Sequence, residues 1–329
     1  MFDSRRIRLF LLFLATLAVA LTQTARGGKS RWYKGNLHTH TLNSDGDSTP
    51  HEVATWYREH GYQFLVLSDH NYLTDVSGLN AIHAAKGKFL LIPGEEVTAS
   101  FAKHPIHVNA FQPERQVEPR EGSSMADTLQ NNVDAIRAAK GIPSLNHPNY
   151  QWAFTAGDLL QVKNLGLIEV YNGHPTVNNK GGGGLQSLDE MWDVLLTAGR
   201  RTHGAAVDDA HHFKRIGQEF SNPGRGWVSV RAEELTSDAI MRAIEAGQFY
   251  ASSGVVLADV VSSASEYRVE IAPRATEKFT TYFIGEGGKV LATSFETAPV
   301  YRLAAGDKYV RARIESSFGS MAWTQPAFR

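Results

Sequence analysis

Short apolar segments alternate with amphipathic segments along the chain from about residue 31. The apolar segments are typical of buried strands, and the amphipathic segments repeat apolar residues at helical spacing. We predict helices over residues 50–60, 125–140, 185–198 and 236–246. We predict strands in YKGNLHTH, QFLVLSD, KFLLIPG, HVNAFQ, GIPSLNH, LGLIEVYN, THGAAVD and RGWVSVRA. Strands and helices that alternate in this way indicate a parallel sheet with helices packed outside it.

The number of strand–helix units favours a particular α/β architecture. About seven units over about 220 residues favour a closed or nearly closed barrel over an open sheet, and such barrels carry their sites at the C-terminal ends of the strands. From about residue 255 the pattern changes to alternating strands separated by Gly, Pro and Asp turns. We therefore predict a barrel domain over residues 31–254 and a small antiparallel β domain over residues 255–329.

The first 25 residues have the layout of an export signal. Three arginines precede an apolar run over residues 9–21, and small residues follow before a plausible cleavage point after Ala25. The run is shorter than the roughly 20 residues that a membrane span needs. We predict a cleaved signal peptide and a periplasmic or secreted protein with no membrane span after cleavage; an uncleaved anchor is the alternative.

Composition narrows the chemistry. The 329 residues are 42% hydrophobic and 20% charged with a net charge of −1, so there is no basic excess of the kind that nucleic-acid binding requires. The chain has no cysteine, which excludes disulfides, thiolate metal sites and cysteine nucleophiles. Histidine, aspartate and glutamate remain as the residue types that could bind a metal.

These residue types cluster where the predicted strands end. Side chains two residues apart on a strand face the same way, which would pair His38 with His40 toward a shared cation. Similar polar clusters follow the other predicted strands, in the segments SDHN (68–71), GEEVT (94–98), NHP (146–148) and DDAHH (208–212). The ends of parallel strands meet at one edge of a barrel, so we expect these clusters to lie together.

The order His-x-His, Asp-His, Gly-x-Glu, His, His-Pro, Asp-x-His resembles the polymerase and histidinol phosphatase (PHP) superfamily of metal-dependent phosphoesterases over roughly residues 33–250. FYASSG and the C-terminal segment are similar to its exported, carbaryl-hydrolase-like branch. The resemblance implies a distorted (βα)7 barrel and two or three divalent ions of zinc, manganese or iron. It implies nine metal ligands: His38, His40, Asp45, His70, Glu96, His107, His147, Asp209 and His211.

The resemblance also implies how the ligands are shared. One metal would take His38, His40, Glu96 and Asp209; a second would take Glu96, His107 and His147; a third would take Asp45, His70 and His211. Three divalent ions among six neutral imidazoles and three carboxylates leave a net charge of about +3, which suits an anionic ester. A metal-bridging hydroxide, held chiefly by His38, His40, Glu96 and Asp209, would be the nucleophile, with His212 as a further catalytic candidate.

Several assignments stay open at this stage. Asp45 could be only a turn residue, His104 could replace His107, and His147 could be only a residue entering a helix. Glu169 could be a buried structural carboxylate or contact substrate, and His174 and Asn172 could be rim neighbours. Asp69 would orient His70 rather than bind metal. A phosphate clamp could come from the basic residues Arg200, Arg201, Lys214, Arg215 and Arg225.

We predict a metal-dependent hydrolase, with a phosphoesterase acting on a small anionic ester as the leading function. A carboxyl-ester or carbamate hydrolase that uses the same metal centre is the alternative, and a non-catalytic metal-binding surface protein is a further one. The loops over residues 112–124, 150–157 and 172–186 would shape specificity. The sequence predicts neither the oligomeric state nor the natural substrate.

Overall fold

The computed structural model describes residues 30–274 and 276–329. The predicted signal peptide over residues 1–25 lies outside this part of the chain. No helix within the described residues has both the length and the hydrophobicity that crossing a membrane demands. The helices are α1 (Pro50–Glu59), α2 (Ser77–His83), α3 (Met125–Ala138), α4 (Ala156–Leu159), α5 (Leu188–Thr197) and α6 (Ser237–Glu245).

Local sequence explains where the predicted helices begin. Thr49 caps α1 through a capping box with Glu52, and Ser187 caps α5 in the same way with Glu190. The four helices predicted from periodicity are confirmed, with ends within a few residues of the prediction. The short helices α2 and α4 were not predicted, because each spans too few residues to establish a helical period.

Seventeen strands complete the described fold. The first nine are β1 (Arg31–Asn36), β2 (Phe64–Leu67), β3 (Leu90–Phe101), β4 (His104–Phe111), β5 (Ile142–Leu145), β6 (Leu167–Asn172), β7 (His203–Val207), β8 (Trp227–Ala232) and β9 (Phe249–Ser252). The remaining eight are β10 (Leu257–Ser262), β11 (Glu266–Ile271), β12 (Phe279–Gly285), β13 (Lys289–Ser294), β14 (Val300–Arg302), β15 (Tyr309–Ser316), β16 (Met321–Thr324) and β17 (Ala327–Phe328).

Most strands belong to one large mixed sheet. Its order is β13-β12-β15-β16-β9-β8-β1-β2-β3-β4-β5-β6-β7, and β17 pairs with β15 off this path. The pairs β1–β2, β2–β3, β5–β6 and β6–β7 are parallel, whereas β4 runs antiparallel to both β3 and β5. The predicted α/β class is confirmed.

The barrel itself is not confirmed, and the parallel arrangement is wrong at β4 and at β8, which pairs antiparallel with β1. β3 continues past Gly94 to Phe101 and returns into β4 through a tight turn at Ala102 and Lys103, whose φ values are +47° and +70°. The described strands form no closed barrel, because the path of paired strands ends at β7 and at β13. A single parallel bridge, Thr39–Ala210, joins the segments that follow β1 and β7.

Helices bury their apolar faces against this sheet. Leu129 and Val133 of α3 and Trp192 and Leu195 of α5 share one buried cluster with residues of β4, β5 and β6. Residues of α6, including Ile240, pack into a second buried cluster with β1, β2 and β8. These helices support the strands whose ends carry the candidate site.

The segment after residue 255 is rich in strands, as its alternating pattern predicts. β16 pairs with β9, so β12, β13, β15 and β16 extend the large sheet. β10, β11 and β14 form a separate three-stranded sheet, and residues of both sheets share a buried apolar cluster. The division of the chain at residues 254 and 255 stays a prediction.

Candidate metal centre

The structure brings all nine predicted ligand residues into one cluster, called here the nine-residue cluster. His38, His40 and Asp45 follow β1, His70 follows β2, and His147 follows β5. Glu96 lies within β3 and His107 within β4, while Asp209 and His211 follow β7. Their nitrogen and oxygen atoms fall into four overlapping groups in which all ligand atoms lie within 4.8 Å of one another.

Glu96 lies at the centre of the cluster and is fully buried. Its carboxylate oxygens lie 3.0–3.3 Å from one ring nitrogen of each of five histidines: His38, His40, His70, His107 and His147. The prediction that the GEEVT segment follows the third strand is wrong, because Glu96 lies inside β3. The Glu96 backbone therefore belongs to a hydrogen-bonded strand and not to a loop.

Asp209 is a second acidic contact for His38 and His40 and also approaches His211. Its Oδ1 atom lies 3.3 Å from His38 Nε2, 3.2 Å from His40 Nε2 and 3.7 Å from His211 Nδ1. The Asn172 side chain donates a hydrogen bond of 3.1 Å to the other carboxylate oxygen, Oδ2. This bond leaves Oδ1 directed at the imidazoles.

Asp45 closes the exposed side of the cluster. Its Oδ1 atom lies 3.4 Å from His40 Nδ1 and 3.3 Å from His211 Nε2, and its Oδ2 atom lies 3.6 Å from His70 Nε2. The loop can approach this closely because the next residue is Gly46: a Cβ atom there would lie 2.7 Å from the His40 carbonyl group. Asp45 is therefore more than a turn residue.

Glu169 orients the cluster through hydrogen bonds to two of its members and to a neighbouring asparagine. Its Oε1 atom accepts a hydrogen bond of 2.7 Å from His38 Nδ1, and its Oε2 atom accepts from the His147 backbone N–H and from Asn172 Nδ2. A carboxylate on Nδ1 fixes the proton there and leaves the Nε2 lone pair for a metal. The sequence left Glu169 undecided between structure and substrate; its contacts are those of an orienting residue.

The donor atoms of the cluster fit divalent cations. The buried Glu96 Oε2 atom accepts no hydrogen bond although three imidazole nitrogens surround it. His38 Nε2 and His40 Nε2 lie 3.1 Å apart, so their lone pairs face each other and the carboxylates. Such a convergence of lone pairs is repulsive without protons or a cation between them. Imidazole and carboxylate ligands in this number suit zinc, manganese or iron.

The charges of the cluster shift its pKa values strongly. Burial opposes the charged form of Glu96, yet His38, His70 and His107 hold its pKa well below the usual range. Burial likewise opposes a charge on His38, but Asp209, Glu96 and Glu169 raise its pKa well above 6.5. Burial lowers the pKa of His211, but Asp45 and Asp209 raise it to about 9. The carboxylates therefore favour positive charge on or next to the imidazoles of the cluster.

Unusual backbone conformations occur at three positions of the centre. The φ angles of His147 and Asp209 are +26° and +50°, and Asn71, directly after His70, has a φ of +49°. Non-glycine residues adopt this region at a cost that surrounding contacts must offset. Here the His147 N–H donates to Glu169 and the Asp209 N–H donates to the His38 carbonyl.

The observed grouping differs from the sharing that the resemblance implies. His147 falls with His38 and Asp209, although its Nε2 atom also lies 3.3 Å from Glu96 Oε1. His70 belongs to two groups, one with Glu96 and His107 and one with His40, Asp45 and His211. His70 therefore lies between two candidate metal positions.

Two predicted residues stay outside the cluster. His104 is exposed beside the β3–β4 turn, so His107 is the histidine that approaches Glu96. His212 packs against Phe220 with ring centroids 5.1 Å apart and joins none of the four groups. Its ring centroid lies 6.4 Å from that of His211, and the catalytic role predicted for His212 stays a prediction.

Asp69 does not orient His70, contrary to the prediction. Its carboxylate accepts hydrogen bonds from Thr41, Ser44 and Thr74, and it thereby holds the loop that carries Asp45. His70 is instead contacted by Thr98, whose Oγ1 atom lies 2.6 Å from His70 Nδ1. The two residues lie 28 positions apart in the sequence, so a motif confined to one segment could not reveal their contact.

The acidic residues next to Glu96 and Asp209 point elsewhere. Glu95 Oε1 accepts from the Val117 N–H, while Asp208 accepts from Tyr57 and from the backbone near Arg225. Asn146 is an additional contact that the sequence analysis missed: its side chain donates a bond of 2.8 Å to Glu96 Oε1. Its position directly before His147 was the available signal.

The basic residues proposed as a phosphate clamp are not gathered into one. Arg200 donates to the Leu160 carbonyl and Arg201 lies over the Phe328 ring. Arg215 lies over Phe220, and Lys214 is exposed. Arg225 donates to the carbonyls of residues 173 and 217, which holds two loops together beside the cluster. His174 lies at the rim, with its ring centroid 5.5 Å from that of His211.

Comparisons with known proteins give a fold likeness. No family model matches the chain, and no curated protein matches it. Among solved structures, a two-domain protein from Bacteroides vulgatus that contains a predicted PHP-like metal-dependent phosphoesterase matches with a TM-score of 0.53 and 16% identity; the match covers 87% of this chain and 91% of that chain. This chain therefore shares its fold with a PHP-like protein.

Two further solved structures are less similar. A candidate metal-dependent phosphoesterase from Bifidobacterium adolescentis has a TM-score of 0.41 and 16% identity, over 63% of this chain and 94% of that chain. An amidohydrolase from Chromobacterium violaceum, solved with sulfate and without metal, has a TM-score of 0.40 and 15% identity, over 55% and 88%. Neither likeness is strong enough to carry an argument.

Proposed function

We propose that the protein is a metal-dependent hydrolase that cleaves phosphate esters. The observation that carries this proposal is the environment of Glu96: a buried carboxylate with one oxygen free of hydrogen bonds and five imidazole nitrogens within 3.3 Å. Buried charges in proteins are paired or coordinate a metal, and a carboxylate facing five imidazoles suits the second arrangement. The fold that this chain shares with a PHP-like protein supports the same proposal.

The nine predicted ligands would hold two or three divalent ions. When bound, these ions would supply Lewis acidity that activates a water molecule and polarises the phosphoryl oxygens. Glu169 holds the His38 ring with its Nε2 atom facing the cluster, and Asn172 and Asn146 hold Asp209 and Glu96 in place. The chain's own contribution is therefore a fixed set of ligands that needs little rearrangement.

The remaining parts of the proposal come from the sequence. We retain export through a signal peptide over residues 1–25, a division into residues 31–254 and 255–329, and similarity to the exported, carbaryl-hydrolase-like branch of the PHP superfamily. The substrate would be a small anionic ester, because bound divalent ions leave the site positively charged.

Turnover of paired substrates tests this function. The purified protein, loaded separately with zinc, manganese or iron, is assayed with an aryl phosphate and with the carbamate of the same phenol. We expect hydrolysis of the phosphate, inhibition by inorganic phosphate, and loss of activity after chelation that returns on reloading. Faster hydrolysis of the carbamate would favour the alternative hydrolase, and full metal occupancy without turnover of either ester would favour a non-catalytic role.

A further inference from the structure

A cleft of about 430 Å³ opens directly beside the nine-residue cluster. Its lining includes His107 and Thr98 at the inner end and Lys103 and Arg120 at the outer end. The volume lies within the range of sites that bind small molecules. The cleft therefore has room for the part of a ligand that lies next to the reacting group.

Of the side chains in the cleft wall, His107 belongs to the nine-residue cluster and Thr98 contacts it. His107 Nδ1 lies 3.0 Å from Glu96 Oε1, and Thr98 Oγ1 lies 2.6 Å from His70 Nδ1. Thr98 and His107 are paired across β3 and β4, so both belong to one rung of the hairpin. A ligand that fills the cleft therefore lies against the cluster at its inner end.

The β3–β4 turn places a lysine at the outer end. From Thr98 the hairpin continues to the turn at Ala102 and Lys103, four residues further on, which corresponds to ~13 Å of strand. Lys103 is exposed and lines the cleft. This gives the approximate separation between the backbone of the inner wall and the turn that carries the lysine.

Arg120 reaches the cleft from a loop that is well anchored. The Asn132 side chain on α3 bonds both the N–H and the carbonyl of Arg120, each at 2.8 Å. The same loop is tied to β3 because Glu95 Oε1 accepts a bond of 2.8 Å from the Val117 N–H. The loop therefore presents the arginine at a fixed position beside the hairpin.

The two cations are available to a ligand. Ion pairs elsewhere in the described chain engage other lysines and arginines, such as Lys140 with Glu114, but none includes Lys103 or Arg120. Glu121 also lines the cleft, without approaching either cation to ion-pair distance. Two unpaired cations in a concave surface favour an anionic group.

We propose that Lys103 and Arg120 bind a second anionic group of the substrate, so that the preferred substrates are small phosphoesters that carry a carboxylate or another phosphate. The proposal rests on the proposed function for the group that meets the cluster. The second charge would lie on the order of 13 Å from the reacting ester. The cleft would then act in specificity rather than in the chemical step.

Binding of a matched series of phosphonates tests this subsite without any turnover. Calorimetry compares ω-carboxyalkyl phosphonates of increasing chain length with their methyl esters, on the metal-loaded protein. We expect the free acid to bind roughly 10-fold more tightly than its ester at the best length, as two exposed ion pairs would give. K103M or R120M should reduce this preference by about threefold each, and the double variant should remove it.

Arg115→Met is the matched control, because Arg115 lies exposed on the same loop but outside the cleft lining. It should leave the preference unchanged. Equal binding of acid and ester, a preference that survives in the double variant, or no binding of either phosphonate would overturn the proposal. A preference for the acid that depends on both cations, found without turnover of any phosphate ester, would support the subsite and refute the proposed activity.

Discussion

Two buried sets of charged side chains in this chain have opposite character. One is the nine-residue cluster, which is carried by β3 and β4 and by the segments that follow β1, β2, β5 and β7. The other is the Arg311 network between α5 and β15, in which Arg311 donates to both oxygens of Asp193 at 2.8 and 2.6 Å and lies 3.0 Å from Asp189. Tyr309 donates a further bond to Asp193 at 2.9 Å.

The difference lies in how the charges are satisfied. In the Arg311 network a guanidinium donates to a carboxylate in a two-point geometry and lies over the Trp192 ring at 4.7 Å. Opposite charges of the protein therefore meet directly, although Arg311 Nη1 and Asp189 Oδ1 make no hydrogen bond. In the nine-residue cluster several carboxylates and imidazoles converge while Glu96 Oε2 receives no hydrogen bond. Charges that pair with each other inside the protein serve stability, whereas converging imidazoles and carboxylates are the ligand types that bind a cation.

The largest expected effect breaks the cluster at its centre. Glu96→Gln removes the carboxylate that five histidines face, so the chain should lose stoichiometric metal and its hydrolytic activity should fall roughly 1,000-fold or more. Metal analysis of the purified variant and the aryl phosphate assay measure both effects. Glu95→Gln is the control, since Glu95 points to Val117 and its substitution should leave metal content unchanged. Retention of full metal content in Glu96→Gln would contradict the assignment.

A second substitution breaks the Arg311 network. Asp193→Ala leaves the fully buried Arg311 without its main partner, and the free energy of unfolding should fall by about 3–5 kcal/mol. Denaturant unfolding followed by tryptophan fluorescence measures the loss. The surviving folded protein should still bind metal, because the network contains no ligand. Glu59→Ala, which removes an exposed carboxylate on α1, should change stability little.

A third substitution tests how the histidines of the cluster are oriented. Glu169→Gln removes the negative charge that fixes the His38 tautomer but keeps the side-chain shape, so metal affinity should fall by about 10- to 100-fold. Competition with a chelator of known affinity gives the value. The exposed Glu270→Gln should have no effect. Unchanged affinity in Glu169→Gln would mean that His38 is held by its backbone alone.

The smallest expected effect tests a neutral member of the Arg311 network. Tyr309→Phe removes one hydrogen bond to Asp193 while the ion pair remains, so unfolding should become easier by about 1 kcal/mol. The same denaturation experiment measures this difference. A loss as large as that of Asp193→Ala would show that the tyrosine, rather than the ion pair, holds α5 to β15.

The sequence predicted which residues meet better than it predicted the strands that carry them. The nine cluster residues are those that the resemblance to the PHP superfamily implies, and each reaches the cluster. Gly94 misled the strand prediction, because a glycine after an apolar run usually marks a turn. Here it lies inside β3, where a Cβ atom would fall 2.5 Å from Val66 Cγ1, so close packing explains the glycine.

Contacts between segments that are far apart in the chain could not be predicted from local sequence patterns. Glu169 meets His38 across 131 residues, and no periodicity in either segment encodes that bond. The reversal at Ala102 and Lys103 depends on two non-glycine residues with positive φ, for which the sequence offers no glycine or asparagine signal. The same reversal forms part of the cleft beside His107, so the cleft could not be foreseen, although Arg120 lies in the 112–124 loop that the sequence analysis expected to shape specificity.

The most direct test of the account is the number of divalent ions that the full-length protein binds. Purified protein is stripped with chelator, exposed to excess zinc, manganese or iron, desalted and analysed by elemental mass spectrometry, with anomalous scattering from crystals to locate the ions. We expect two or three ions per chain within the nine-residue cluster. A chain that binds none of the three metals stoichiometrically, or that binds them only elsewhere, would contradict the central claim.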